Sequence, residues 1–216
     1  MNCFVKPILS VALLLGLAAC GDGTRTEHYI IDPPVSNQAS GDMLGATELR
    51  DVSLPEYAAG TEMAWQSLDG AVRTSSRVLW ADNPQRAFTL TLARAISDVS
   101  GATVIPEPWP MATPAQRRLD VRIEKALASN DGFFRLQGRY FLSDEGGGGG
   151  QDHARNFDIA VPVNDDTPQA VANAASIAIT LLAEQIAVLG GSGSTIVAQP
   201  SGGGGADPFA DLPPLF

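Results

Sequence analysis

The sequence predicts an α+β fold, a single layer of mainly antiparallel sheet with two helices packed on one face. Two amphipathic stretches carry helix-start residues at one end and glycine at the other, near 83–101 and 167–190. Between them, Leu119, Val121 and Ile123 alternate with Asp120, Arg122 and Glu124, the pattern of a half-buried strand in an antiparallel sheet. Elements arrive as three strands and a helix, then three strands and a helix, which suits one sheet layer backed by helices. The duplication is topological, since no sequence repeat accompanies it.

The first nineteen residues stand apart from that domain. Lys6 precedes an apolar run from Ile8 to Leu17, the layout of a secretory signal peptide. The run closes in Leu17-Ala18-Ala19-Cys20, which resembles a bacterial lipobox. That resemblance implies lipidation at Cys20: its thiol takes a diacylglyceryl group, small alanines admit the peptidase, and the freed amine is acylated. Each buried CH₂ contributes about 0.8 kcal/mol, so two or three acyl chains hold a protein on a membrane almost permanently. An uncleaved span would need ~20 apolar residues, and the run is well short of that.

Cleavage before Cys20 leaves about 197 residues, enough for one domain with flexible ends. The formal charge of −10 becomes about −11 when Lys6 is lost. Such acidity disfavours nucleic acid, whose binding rests on Lys and Arg meeting phosphate. It also disfavours a basic patch lying on anionic lipid. Cys3 leaves with the signal and Cys20 is acylated, so no thiol remains for a disulfide, a metal or a nucleophile.

Residues 20–28 read as a tether. Tyr29-Ile30-Ile31 is a short β-prone stretch stopped by Pro33 and Pro34. If it pairs into the sheet, the free tether reaches at most ~30 Å and keeps the domain close to its membrane. Glu48 to Leu54 reads as a strand. Met63–Leu68 and Ala71–Thr74 flank Asp69-Gly70, a hairpin turn signal, and Val78-Leu79-Trp80 reads as one more short strand. Asn83 is an N-cap followed by Pro84 at the first helical position. Phe88, Leu92, Ala95, Ile96 and Val99 form the apolar face of that helix, and Gly101 ends it.

Val104-Ile105 is a brief strand, after which Pro106, Pro108 and Pro110 forbid regular structure. The meander then runs through Leu119–Ile123, the Asn130-Asp131-Gly132 turn, Phe134–Leu142, a five-glycine tip at 146–150, and Phe157–Val163. The last helix runs from Pro168 to about Leu189, with Thr167 as cap and Gly190 as stop. Its face is rich in alanine, broadened by Ile177, Ile179, Leu181 and Ile186. A second membrane span is the rival reading, but Asn173, Thr180, Glu184 and Gln185 make that costly. Residues 29–189 are therefore the domain, and 190–216 a Gly- and Pro-rich tail expected to be disordered.

Catalytic chemistry is not visible. His28 and His153 read as solvated loop residues, and two histidines without thiols fall short of a zinc set. The glycine run lacks the Lys-Ser or Lys-Thr and the helix start of a phosphate loop. Gly190-Gly191-Ser192-Gly193-Ser194 misses the nucleophile-elbow pattern, and Asp165-Asp166 reads as a solvated helix start. No catalytic residue, metal ligand or cofactor is predicted. One side chain is conspicuous: Leu90 lies opposite the apolar face of the first helix, between Arg86 and Arg94. An apolar centre with arginine around it matches the make-up of an interface. A lone exposed leucine also needs no explanation.

Several stretches arrive in a familiar order: Tyr29-Ile30-Ile31-Asp32, Leu54-Pro55-Glu56-Tyr57, Leu79-Trp80-Ala81-Asp82-Asn83-Pro84 with Arg86-Ala87, and Glu107-Pro108-Trp109-Pro110. With the lipobox they resemble the ABC-type transport auxiliary lipoproteins, the PqiC family, over roughly Tyr29 to Ile186. The resemblance implies a periplasmic lipoprotein, commonly of the outer membrane, that partners an MCE-domain protein in lipid transport and envelope integrity. Some relatives form homo-oligomeric rings. Gly21 after Cys20, where aspartate often signals inner-membrane retention, agrees with release to the outer membrane. A carrier that itself shields an acyl chain between sheet and helices is the alternative. Trp80 and Trp109 are expected to be structural.

Overall fold

The computed structural model describes residues 25–36, 40–146, 151–189 and, as backbone, 192–196. Its elements are β1 (Glu27–Tyr29), β2 (Ala46–Leu49), the single turn α1 (Glu56–Ala59), β3 (Glu62–Gln66), β4 (Val72–Trp80), α2 (Pro84–Ser100), β5 (Thr103–Pro106), β6 (Arg117–Ala128), β7 (Phe133–Asp144), β8 (Asp152–Pro162), α3 (Pro168–Ala187) and β9 (Ser192–Ile196). The predicted α+β class holds: one sheet of nine strands carries the helices.

Long β6 organises the sheet. One of its edges pairs antiparallel with β7 from Arg117 to Ala128. Its other edge is shared, first by parallel β2 at Arg117–Leu119, then by a bridge from Arg122 to Ser53, and last by β3 at Ala128. Beyond β3 lie antiparallel β4 and parallel β1; beyond β7 lie antiparallel β8 and β9. β5 adds to β2 in parallel. The antiparallel meander thus meets the prediction, with parallel pairings added where strands distant in sequence meet.

The core is built by the alternation on β6, β7 and β8. Leu119, Val121, Leu136, Tyr140, Leu142, Ile159 and Val161 are buried. Burial pushes the Tyr140 phenol up to about 12. α2 and α3 pack on each other as well as on the sheet. Alanines 174, 175, 178 and 183 of α3 are buried, and small side chains let helix and sheet approach closely. α3 is long and apolar enough to cross a membrane, yet 67% of that stretch is buried in the domain, so it is a core helix.

Local signals act as expected at the helix ends. The Asn83 side chain accepts a hydrogen bond from the Arg86 N–H at 3.1 Å, and Thr167 Oγ1 accepts from the Ala170 N–H at 3.2 Å. Gly101 adopts φ +72° and donates its N–H to Ser97 O, a left-handed cap that glycine takes without strain.

Several boundaries differ from the expectation. β1 occupies Glu27–Tyr29, so strand replaces tether at Glu27 and His28. The expected 48–54 strand is β2 at 46–49 plus the isolated bridge at Ser53. Val78–Trp80 continues β4, because a register shift between Glu62 and Ala64 lets one long strand stay paired to β3. α3 stops at Ala187, two residues early, with Leu189 at φ +51°. Ile177 and Leu181 are 41% and 38% exposed rather than part of the buried face. Residues 192–196, expected within the tail, pair along β8. The rest of that tail, most of the glycine tip and the signal segment lie outside the described residues.

Candidate functional site

Residues 29–31 alternate as extended chain does. Ile31 enters the core at 6% exposure, and Ile30 is turned outward at 67%. The segment is fastened along its length. The Ala81 N–H donates to Tyr29 O at 2.8 Å, the Asp32 N–H to Ser176 Oγ at 3.0 Å, and Thr180 Oγ1 to Pro34 O at 3.0 Å. Beside it, the start of α2 turns Leu90 outward at 43% exposure. Between the two runs an apolar groove of about 340 Å³, lined by Tyr29, Ile30, Trp80, Ala87 and Leu90 among others. Three of the stretches that carry the family resemblance meet here: Tyr29–Asp32, Leu79–Pro84 and Arg86-Ala87.

Arg86, Leu90 and Arg94 share one exposed stripe of α2, as their spacing predicts. Both arginines are neutralised: Arg86 pairs with Asp82 at 2.5 Å, and Arg94 with Asp32 at 2.9 Å. These pairs are exposed and contribute little to stability. They do cancel charge at both flanks of the groove. The phenol of Tyr29 donates to Glu27 at 2.5 Å; that bond, helped by desolvation and by the carboxylate's charge, raises its pKa above the usual phenol value. Cys20 lies outside the described residues.

Sequence reasoning singled out Leu90 and missed its companions Ile30 and Trp80. The available signal was the Ile30-Ile31 pair, since one face of an extended chain cannot bury both. Trp80 is half-buried and packs on the core, while Trp109 donates its indole N–H to Thr113 O at 2.7 Å. Tyr57 fastens α1 to β6 by accepting the Ala126 N–H at 3.2 Å. Asp165 accepts the Thr167 N–H at 2.9 Å, an ordinary helix start. His28 and His153 lie on β1 and β8 rather than in loops. Burial, then Arg155 and Arg117, lower the His153 pKa. Among the described residues, no three His, Cys, Asp or Glu side chains gather as metal ligands would.

A second cleft, of about 360 Å³, lies among Met63, Trp65, Val78, Ala128, Val163 and Val171, with Asp165 and Asp166 also in its lining.

The family model for the ABC-type transport auxiliary lipoprotein component matches residues 29–187. The chain belongs to the ABC-type transport auxiliary lipoprotein family. This is a family of auxiliary transport components rather than a known enzyme family, and it places the chain among periplasmic membrane-anchored lipoproteins. Solved structures share the fold. A Xanthomonas campestris protein of the DUF330 family aligns with a TM-score of 0.57 and 14% identity, over 73% of this chain and 91% of its own. An uncharacterized protein known from its crystal structure aligns with a TM-score of 0.62 and 18% identity, over 76% of this chain and 98% of its own. No curated protein matches the chain significantly. In this auxiliary lipoprotein the family match begins at Tyr29, the last residue of β1, and the groove lies directly beside that strand.

Proposed function

We propose that this auxiliary lipoprotein is an accessory and scaffold subunit of an MCE-type, ABC-linked lipid transport system, acylated at Cys20 and held at the outer membrane in support of envelope integrity. The observation that carries this reading over the carrier alternative is the filled interior. A carrier would shield an acyl chain between sheet and helices. That space is occupied by Leu119, Val121, Leu136, Leu142, Ile179 and Leu182, each at most 1% exposed. Protein interiors filled by such side chains do not admit a ligand without rearrangement. The apolar clefts that open to solvent, the groove beside β1 and the cleft at the start of α3, lie at the surface of the domain.

The test is purification of the full-length protein from membranes in mild detergent. The scaffold reading expects an MCE-domain protein to accompany it, with lipid no more abundant than in the surrounding micelles. Recovery alone, with one tightly held lipid per chain, would favour the carrier.

A further inference from the structure

We infer that the groove between β1 and α2 is the face this protein lays on the lipid bilayer, so that the anchor and the groove together orient the domain. The inference rests on the proposed acylation of Cys20 and adds where the bilayer touches. Three observations support it. First, the tether is short. Only Gly21 to Thr26 separate Cys20 from β1, a reach of about 20 Å, and Tyr29 of the groove follows two residues after Glu27. Because residues 27–34 are bonded to β4 and α3, the anchor leaves the domain at a fixed place beside the groove.

Second, the composition suits an interface with lipid. Tyr29 and Trp80 present amphipathic rings, which favour the headgroup level, and Ile30 and Leu90 stand outward between them. Third, the charge is permissive. The chain carries −10, and phospholipid surfaces are commonly anionic, so most faces are repelled. At the groove Asp82 is the charged lining residue and is paired to Arg86, Asp32 is paired to Arg94, and the neighbouring Glu27 carboxylate accepts the Tyr29 phenol. The exposed apolar stripe of Ile177 and Leu181 on α3, continued by Val188 just after the helix, has Asp158 and Glu184 beside it and no aromatic ring in its cleft. An anionic surface would disfavour that face.

The experiment uses the full mature, lipidated protein on vesicles of phosphatidylethanolamine and phosphatidylglycerol. Single cysteines replace Leu90, Ile30 or the 90%-exposed Leu68 of the β3–β4 turn, and each carries a nitroxide label. Collision with oxygen reports lipid, and collision with a water-soluble nickel chelate reports solvent. Labels at 90 and 30 are expected to be several-fold less accessible to nickel than the label at 68, and more accessible to oxygen. Having two groove sites guards against one variant that fails to fold. Labels at 90 and 30 as nickel-accessible as that at 68, on protein that floats with the vesicles, would overturn this orientation while leaving the anchor intact. Shielding from both reagents would place protein over the groove and overturn it equally. Protein that does not float would overturn the acylation and the inference together.

Discussion

Gly138 of β7 lies so close to Arg122 of β6 that a Cβ at 138 would stand 2.2 Å from the Arg122 carbonyl oxygen. The cause is the register shift of β6 between Ile123 and Lys125, directly opposite Gly138. Phe157 closes the other side, 2.8 Å from the same point. Backbone on one side and a buried ring on the other leave nowhere for a methyl group. Gly138→Ala is therefore expected to destabilise the domain by about 1–3 kcal/mol, the range for overpacking. Urea unfolding measures it, and a midpoint equal to wild type would show that the bulge yields freely.

The two sides of α3 should respond differently. Leu182 is 0% exposed against the sheet, and Leu181 is 38% exposed. Leu182→Ala should cost about 2–5 kcal/mol, with a matching fall in melting temperature. Leu181→Ala should stay within about 0.5 kcal/mol of wild type. Similar losses from both would contradict the burial of one face only.

Much of this fold was legible. The helices announce their ends through Asn83-Pro84, Gly101 and Thr167-Pro168, because capping is local chemistry. The meander shows in alternation, because neighbouring strands bury the same face. The parallel pairings of β1, β2 and β5 were not legible: partners such as Thr47 and Val104 meet across long connections, and nothing local records the meeting. Gly138 gave no signal either, since its need for space arises on the facing strand. Of the site, Leu90 stood out as an apolar residue on a polar side, whereas Trp80, expected to be structural, packs on the core and also lines the groove beside Ile30.

The β3–β4 turn should lend the domain an acid-sensitive component. The Asp69 carboxylate accepts bonds from Ser67 Oγ, the Ala71 N–H and Arg73, which hold its pKa down to about 2 from 3.8. A pKa depressed by folding means the unfolded chain takes up the proton first on acidification. The contribution is thus present above pH 3.8 and is lost as the pH falls toward about 2. Asp69→Asn should be less stable than wild type at neutral pH, and the gap should narrow across that window. A gap that stays constant would assign the effect to hydrogen bonding alone.

This auxiliary lipoprotein is proposed to work from a lipid anchor at Cys20. The intact mass of the protein from the membrane fraction tests it most directly, with Cys20→Ser alongside. The wild-type chain is expected to begin at Cys20 and carry diacylglyceryl and N-acyl groups, and the variant to keep residues 1–19 without lipid. An unmodified wild-type chain, or a variant with the same mature mass as wild type, would contradict it.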